Sequence, residues 1–214
     1  MPLFFIDYWY LVLVVPALIV TGWAQYKVHS TFKKYSQVGT RSGMTGAEAS
    51  MVIQRENGIQ VPLQQVGGSL TDHYDPRSNV IRLSDPVYAV RSVSAIGVAA
   101  HECGHAVQHQ KGYLPLKLRS LLVPAANLGS KLGLPIVILG LILGIGFRLP
   151  NGDYFSLAML GVWIFSLAVL FQIVTLPVEF NASRRALSML RDYGMLSSDE
   201  IGDCRNVLTA AALT

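Results

Sequence analysis

His101, Glu102 and His105 stand as H-E-x-x-H inside "VAAHECGHAVQHQ", residues 98–110. On a helix, positions i and i+4 share one face a turn apart, so the two imidazoles can offer nitrogens to a single ion. Glu102 lies roughly 100° round the axis from His101, close enough to reach a water on that ion without being a ligand itself. From there it can take the water's proton and hand it to a leaving amine. The chemistry implied is hydrolysis of peptide bonds with one Zn2+ per chain. A buried helix carrying a carboxylate and several imidazoles without such a purpose would leave costly unpaired polar groups.

A catalytic zinc needs a third protein ligand and an open position. His109 is about 12 Å along the axis from His101, too far to share the ion. A metzincin pattern would place a histidine at position 111, which is Lys111. His73 and the acids remain. Glu48 and Glu56 belong to a capped, solvent-facing helix, and Asp192, Asp199 and Glu200 to a polar, turn-flanked region. Glu179, in "VTLPVEFNASRRAL", has apolar surroundings next to the membrane, where a carboxylate without a partner is costly. It completes a His101, His105, Glu179 set, with His73 the first substitute.

The elements that must position these residues are largely apolar. The 214-residue chain is 51% hydrophobic and only 14% charged, against roughly 25% charged for an ordinary soluble domain. The deficit concentrates in Leu3–Ala24, Leu132–Phe147 and Ser156–Val178, which read as three transmembrane helices. The first lacks the basic flank and cleavage site of a secretory signal and reads as a retained anchor. The other two form a hairpin turning at Arg148–Tyr154. Segments 26–131 and 178–214 hold 16 of the 17 Lys and Arg residues. The positive-inside rule then puts the N-terminus outside and the active site in the cytosol, in a multi-pass plasma-membrane protein. The net charge of +4 follows from that topology, and nothing resembles a nucleic-acid domain. Cys103 and Cys204, on the reducing side, read as small buried hydrophobes.

Between the spans, Thr45 and Glu48 have capping-box spacing, opening a helix that ends near Gly58. Residues 59–84 alternate as short strands, with Pro62 confining the first to an edge. Asp85-Pro86 reads as an N-cap with proline in the first helical position. The expected fold class is an α+β membrane protein, mostly helical, with a zincin-like domain of an HExxH helix and a small antiparallel sheet. The expected segments are a transmembrane helix at 1–25, the zinc-protease domain at 26–120, a transmembrane hairpin at 121–177 and a cytosolic helical segment at 178–214.

The blocks "LTDHYDP", "VIRLS", "GVAAHECGHAVQH", "PLKLRSLLVPAANLGS" and "FQIVTLPVEFNASRRAL" resemble the neutral zinc metallopeptidases of bacterial membranes, the YugP-type family. The resemblance implies a membrane-bound zinc peptidase with His101, Glu102 and His105 in its motif. The layout is similar to that of the integral-membrane CAAX-type proteases, which take a third ligand from an E-x-x-x-D glutamate on a later helix. Glu179 matches that glutamate, while Ser183 stands where the aspartate would be. The contact from a carboxylate to a ligand imidazole is therefore left to Ser183 or Asn181 in weaker form.

His73, Tyr74, Tyr88 and Arg184 are candidates to donate to the oxyanion or hold substrate. Asn79, Val80, Ile81, Arg82 and Leu83 follow a turn and are expected to form an edge strand that pairs with an extended substrate. The expected partners are peptides or unfolded protein segments, membrane proteins among them, and the lipid bilayer. The alternative functions are an intramembrane zinc protease and a non-enzymatic, zinc-stabilised membrane scaffold.

Overall fold

The computed structural model describes residues 8–148, 150 and 154–212. It is mostly helical and divides into two compact units. One comprises residues 1–110 with 180–214, the other residues 111–179.

In the first unit, α1 (Tyr8–Ser36) runs without a break past residue 25. It buries Ala24, Thr31, Phe32 and Tyr35. Asn206 donates to the Tyr35 hydroxyl at 3.1 Å, tying α1 to the C-terminal helix. Helix α2 (Gly46–Glu56) starts at the expected capping box, Thr45 accepting from the Glu48 N–H while Glu48 accepts from the Thr45 N–H. It is followed by Gly58, whose φ is +63°. Strands β1 (Leu63–Val66), β2 (His73–Asp75) and β3 (Val80–Ser84) come next, then a single helical turn, α3 (Asp85–Tyr88). Ser84 rather than Asp85 occupies the N-cap of α3.

The sheet corrects two expectations. Its order is β1-β3-β2, with β1 parallel and β2 antiparallel to β3, so it is mixed rather than antiparallel. The strand β3 is central and hydrogen-bonded on both sides by the chain's own strands. Val80, Ile81, Arg82 and Leu83 therefore have no free ladder to offer a substrate. Asn79 lies before the strand, in a left-handed turn at φ +52°. The physical reason is in the side chains: Val80, Ile81, Leu83 and Ser84 are all buried, as in a strand covered on both faces. Pro62 directly precedes β1, one of the two edges, as its missing N–H requires.

Helix α4 (Val93–Gln110) carries the H-E-x-x-H residues. Ser92 Oγ accepts the Ala95 N–H at 3.2 Å, as an N-cap does, and Gly112 follows the helix with φ +64°. Helix α4 is buried along most of its length among α2, the sheet and α7 (Ser198–Ala211). Ile53, Ile81, Leu83, Ile96, Cys103, Leu190 and Cys204 meet in that core. Each large aliphatic side chain so buried contributes about 1.5–3 kcal/mol. Such a core holds the α4 backbone, and with it the site, in one place.

In the second unit, α5 (Leu114–Leu143) and α6 (Leu157–Asp192) flank a two-stranded ribbon of β4 (Gly146–Arg148) and β5 (Tyr154–Ser156). A Cβ on Gly133 would meet Phe165 at 2.8 Å, and one on Gly161 would meet the Val137 N at 2.6 Å, so glycine sets how closely α5 and α6 approach. Two helices, not three, are long and apolar enough to cross a membrane among the described residues, α5 and α6. The first expected span, Leu3–Ala24, begins outside the described residues. Helix α6 contains Pro177 and ends at Asp192.

Candidate metal centre

Helix α4 meets the last part of α6 through His101, Gly104 and Gln108. Gly104 makes this possible, since a Cβ there would lie 2.7 Å from the Ala182 carbonyl oxygen. On either side of that contact, His101 and His105 direct their Nε2 atoms at one another, 3.1 Å apart. Their ring planes are perpendicular, with centroids 4.7 Å apart. Two nitrogens bound tetrahedrally to zinc at about 2.0–2.1 Å are about 3.3 Å apart, so the pair is spaced for one ion.

The far side of each ring is tied down. His101 Nδ1 is 3.2 Å from Ser183 Oγ, and His105 Nδ1 is 3.0 Å from Gln108 Oε1. The second contact fixes a tautomer by proton inventory. Arg185 Nε, which can only donate, bonds Asn181 Oδ1 at 2.7 Å. Gln108 Nε2 donates to that same oxygen at 2.9 Å, leaving Gln108 Oε1 to accept from His105 Nδ1–H. The lone pair of His105 is thereby presented on Nε2, where a metal would sit. Ser183 thus contacts His101 directly, and Asn181 reaches His105 through Gln108. Gln108 was not among the expected residues. Its signal was an amide three positions after His105, on the same helix face and fully buried.

Glu102 is buried, 7% exposed, and accepts the Tyr74 backbone N–H on Oε2 at 2.7 Å. Since Tyr74 lies in edge strand β2, the sheet aims a backbone donor at the carboxylate beside the two histidines. The expected roles of the aromatic and basic candidates change accordingly. The Tyr74 hydroxyl is engaged with Asn79 Oδ1 at 2.7 Å and His109 Nδ1 at 2.6 Å. Burial first, and then the Asp75 charge, push its phenol up to about 12, so it stays protonated. Its N–H is what reaches Glu102. His73 is exposed, its Nδ1 2.8 Å from the Thr71 carbonyl oxygen and its Nε2 3.4 Å from Arg82. Arg184 is exposed and Tyr88 half-buried on α3. None of the four lines the cavity that His101 and Glu102 share.

Glu179 stands on α6 two residues before Asn181 and four before Ser183, one turn upstream on the same face. One of its carboxylate oxygens accepts from Arg119 at 2.9 Å. Cys103 and Cys204 are free and fully buried, and burial pushes both thiols up to about 12. Both pack in the core as small buried hydrophobes. Cys204 Sγ lies where a Cβ on Gly97 would be 2.7 Å away, packing α7 onto α4.

Two imidazoles spaced for one ion with a buried carboxylate next to them are an arrangement suited to metal-assisted hydrolysis. The sequence matches the family described as "Putative neutral zinc metallopeptidase" over residues 10–214, and the chain belongs to that family. It is similar to "Putative membrane protease YugP" of Bacillus subtilis (strain 168), 47% identical over 206 residues, which cover 96% of this chain and 88% of that protein. No solved structure matches it.

Proposed function

We propose that the protein is a membrane-bound zinc peptidase whose metal is held by His101, His105 and Glu179 and whose general base is Glu102. The observation that carries the reading is the converging pair of Nε2 atoms with Glu102 held beside it by the Tyr74 N–H. The third ligand is supported by helical geometry, because Ser183 already touches His101 and Glu179 lies one turn before it. Two neutral imidazoles and one carboxylate are a donor set that suits zinc with a position left open.

Zinc in such a site acts as a Lewis acid toward a water and toward the peptide carbonyl. The rest falls to the chain's own residues. Glu102, fixed by Tyr74, takes a proton from the attacking water as oxygen adds to the carbonyl carbon. It then delivers that proton to the amide nitrogen as the C–N bond breaks. Ser183 and the Gln108–Asn181–Arg185 chain keep the two imidazoles turned the right way throughout. The peptide products separate as a carboxylate and an amine.

The membrane setting rests on α5 and α6, on the relative's name and on the distribution of basic residues. The distribution of basic residues supports a cytosolic site, and we read peptides or unfolded segments of proteins as its substrates. Glu179→Ala tests the ligand set: the variant should insert normally and lose its zinc. Stoichiometric zinc by metal analysis of that purified variant would remove Glu179 and turn attention to His73.

A further inference from the structure

Beside His101 and Glu102 lies a cavity of about 430 Å³. Its apolar lining comes from four separate places: Val28 of α1, Leu70 of the loop before β2, Val98 of α4, and Leu208 and Ala211 of α7. Val98 sits three and four residues before His101 and Glu102, so it is one turn from both on α4. A peptide whose carbonyl reached Glu102 would thus place a neighbouring side chain against this lining. The polar groups at the cavity are Gln25, His29 and Asp72, together with His101 and Glu102. Asp72 is occupied by the Ser84 N–H at 2.7 Å and the Ser84 hydroxyl at 2.8 Å.

Leu70 carries an independent signal. Its φ is +59°, in the left-handed region that a bulky residue seldom adopts and that glycine enters freely. The same loop places glycine at 67 and 68, so the chain uses that freedom nearby. A leucine here carries a backbone cost that glycine would not, and it lines the cavity. Strained backbone of this kind concentrates at binding sites.

We infer that the cavity is a specificity pocket for one apolar side chain flanking the scissile peptide bond, and that Leu70 and Val98 set the size it accepts. This rests on the zinc-peptidase reading of the site. Two carboxylates at the rim, Asp72 and Glu102, disfavour an acidic side chain in the same place.

The test uses the full chain, purified in detergent with zinc, and a peptide set varied at one position among Ala, Leu, Phe, Ser and Asp. Cleavage sites are read by mass spectrometry and kcat/KM for each peptide. The wild type should prefer Leu over Ser by roughly tenfold or more, the scale on which apolar pockets discriminate, and should cleave the Asp peptide least. Leu70→Gly, which enlarges the pocket and relieves the backbone, should shift preference toward Phe. Val98→Phe should shift it toward Ala. Opposite shifts from two residues are not what a packing defect produces. A Leu70→Gly protein that loses melting temperature and kcat/KM equally across the set overturns the proposal, and that variant alone decides if Val98→Phe does not fold. Zinc-dependent cleavage by the wild type with no apolar preference overturns the pocket and leaves the peptidase reading standing. No zinc-dependent cleavage of any peptide overturns both.

Discussion

Replacing Gln108 by leucine keeps most of its volume in the core but takes away the oxygen that accepts from His105 Nδ1. His105 is then free to carry its proton on Nε2, the nitrogen meant for the metal. Loss of an outer partner to a ligand histidine typically costs 10–100-fold in metal affinity. Gln108→Leu should therefore weaken zinc binding by about that factor, read by competition with a chromophoric chelator. Unchanged affinity would mean that the Arg185–Asn181–Gln108 chain does not set the tautomer. At this scale the sequence was most legible where the chemistry is contiguous. His101, Glu102 and His105 declare themselves by spacing alone, because helix geometry converts spacing directly into a shared face. Ser183 was reachable from its place one turn after Glu179. The part played by the Tyr74 N–H was not, since a backbone donor leaves no mark on residue type.

Among the elements, the fit of α4 against α6 depends on the missing side chain of Gly104. Gly104→Ala would bring a methyl group within 2.7 Å of the Ala182 carbonyl oxygen, and a backbone oxygen cannot rotate away. Overpacking of this sort costs about 1–3 kcal/mol. The variant should melt at a lower temperature and bind zinc less tightly, because the displaced segment carries Asn181 and Ser183. A variant with wild-type melting and wild-type zinc affinity would show that the helices are not so closely set. Local signals predicted the start of α2, its end near Gly58 and the place of Pro62 before an edge strand. They failed for β3. Whether a strand is central depends on which distant segments pair with it, and the parallel partner β1 joins across an intervening strand. The buried run of Val80, Ile81, Leu83 and Ser84 was the available hint, and the alternation around Arg82 masked it.

For the whole molecule, the question is which side of a membrane the site faces. Basic residues before α5 and after residue 178, set against a lone Arg148 between α5 and α6, favour a cytosolic site. The buried native thiols give a clean background for testing this, since neither Cys103 nor Cys204 reaches solvent. An impermeant maleimide should label Arg148→Cys in intact cells and Arg55→Cys only in inverted vesicles. The reverse pattern would contradict the assigned orientation while leaving the metal centre untouched. Hydropathy located the two helices α5 and α6, yet it placed breaks near residues 25 and 178 where α1 and α6 run on. A composition boundary marks a change of solvent, and a helix can cross that boundary without ending.

In the proposed mechanism one buried carboxylate moves the proton while other residues hold the metal, and Glu102→Gln separates the two roles most directly. The substitution is nearly isosteric and can still accept from the Tyr74 N–H, but it cannot take a proton from water. Zinc content and peptide hydrolysis should be measured on the same purified sample beside the wild type. Zinc should be present at wild-type stoichiometry, with an unchanged melting temperature and no detectable turnover. Turnover at a rate near that of the wild type, in a preparation free of other proteases, would contradict the assignment of Glu102.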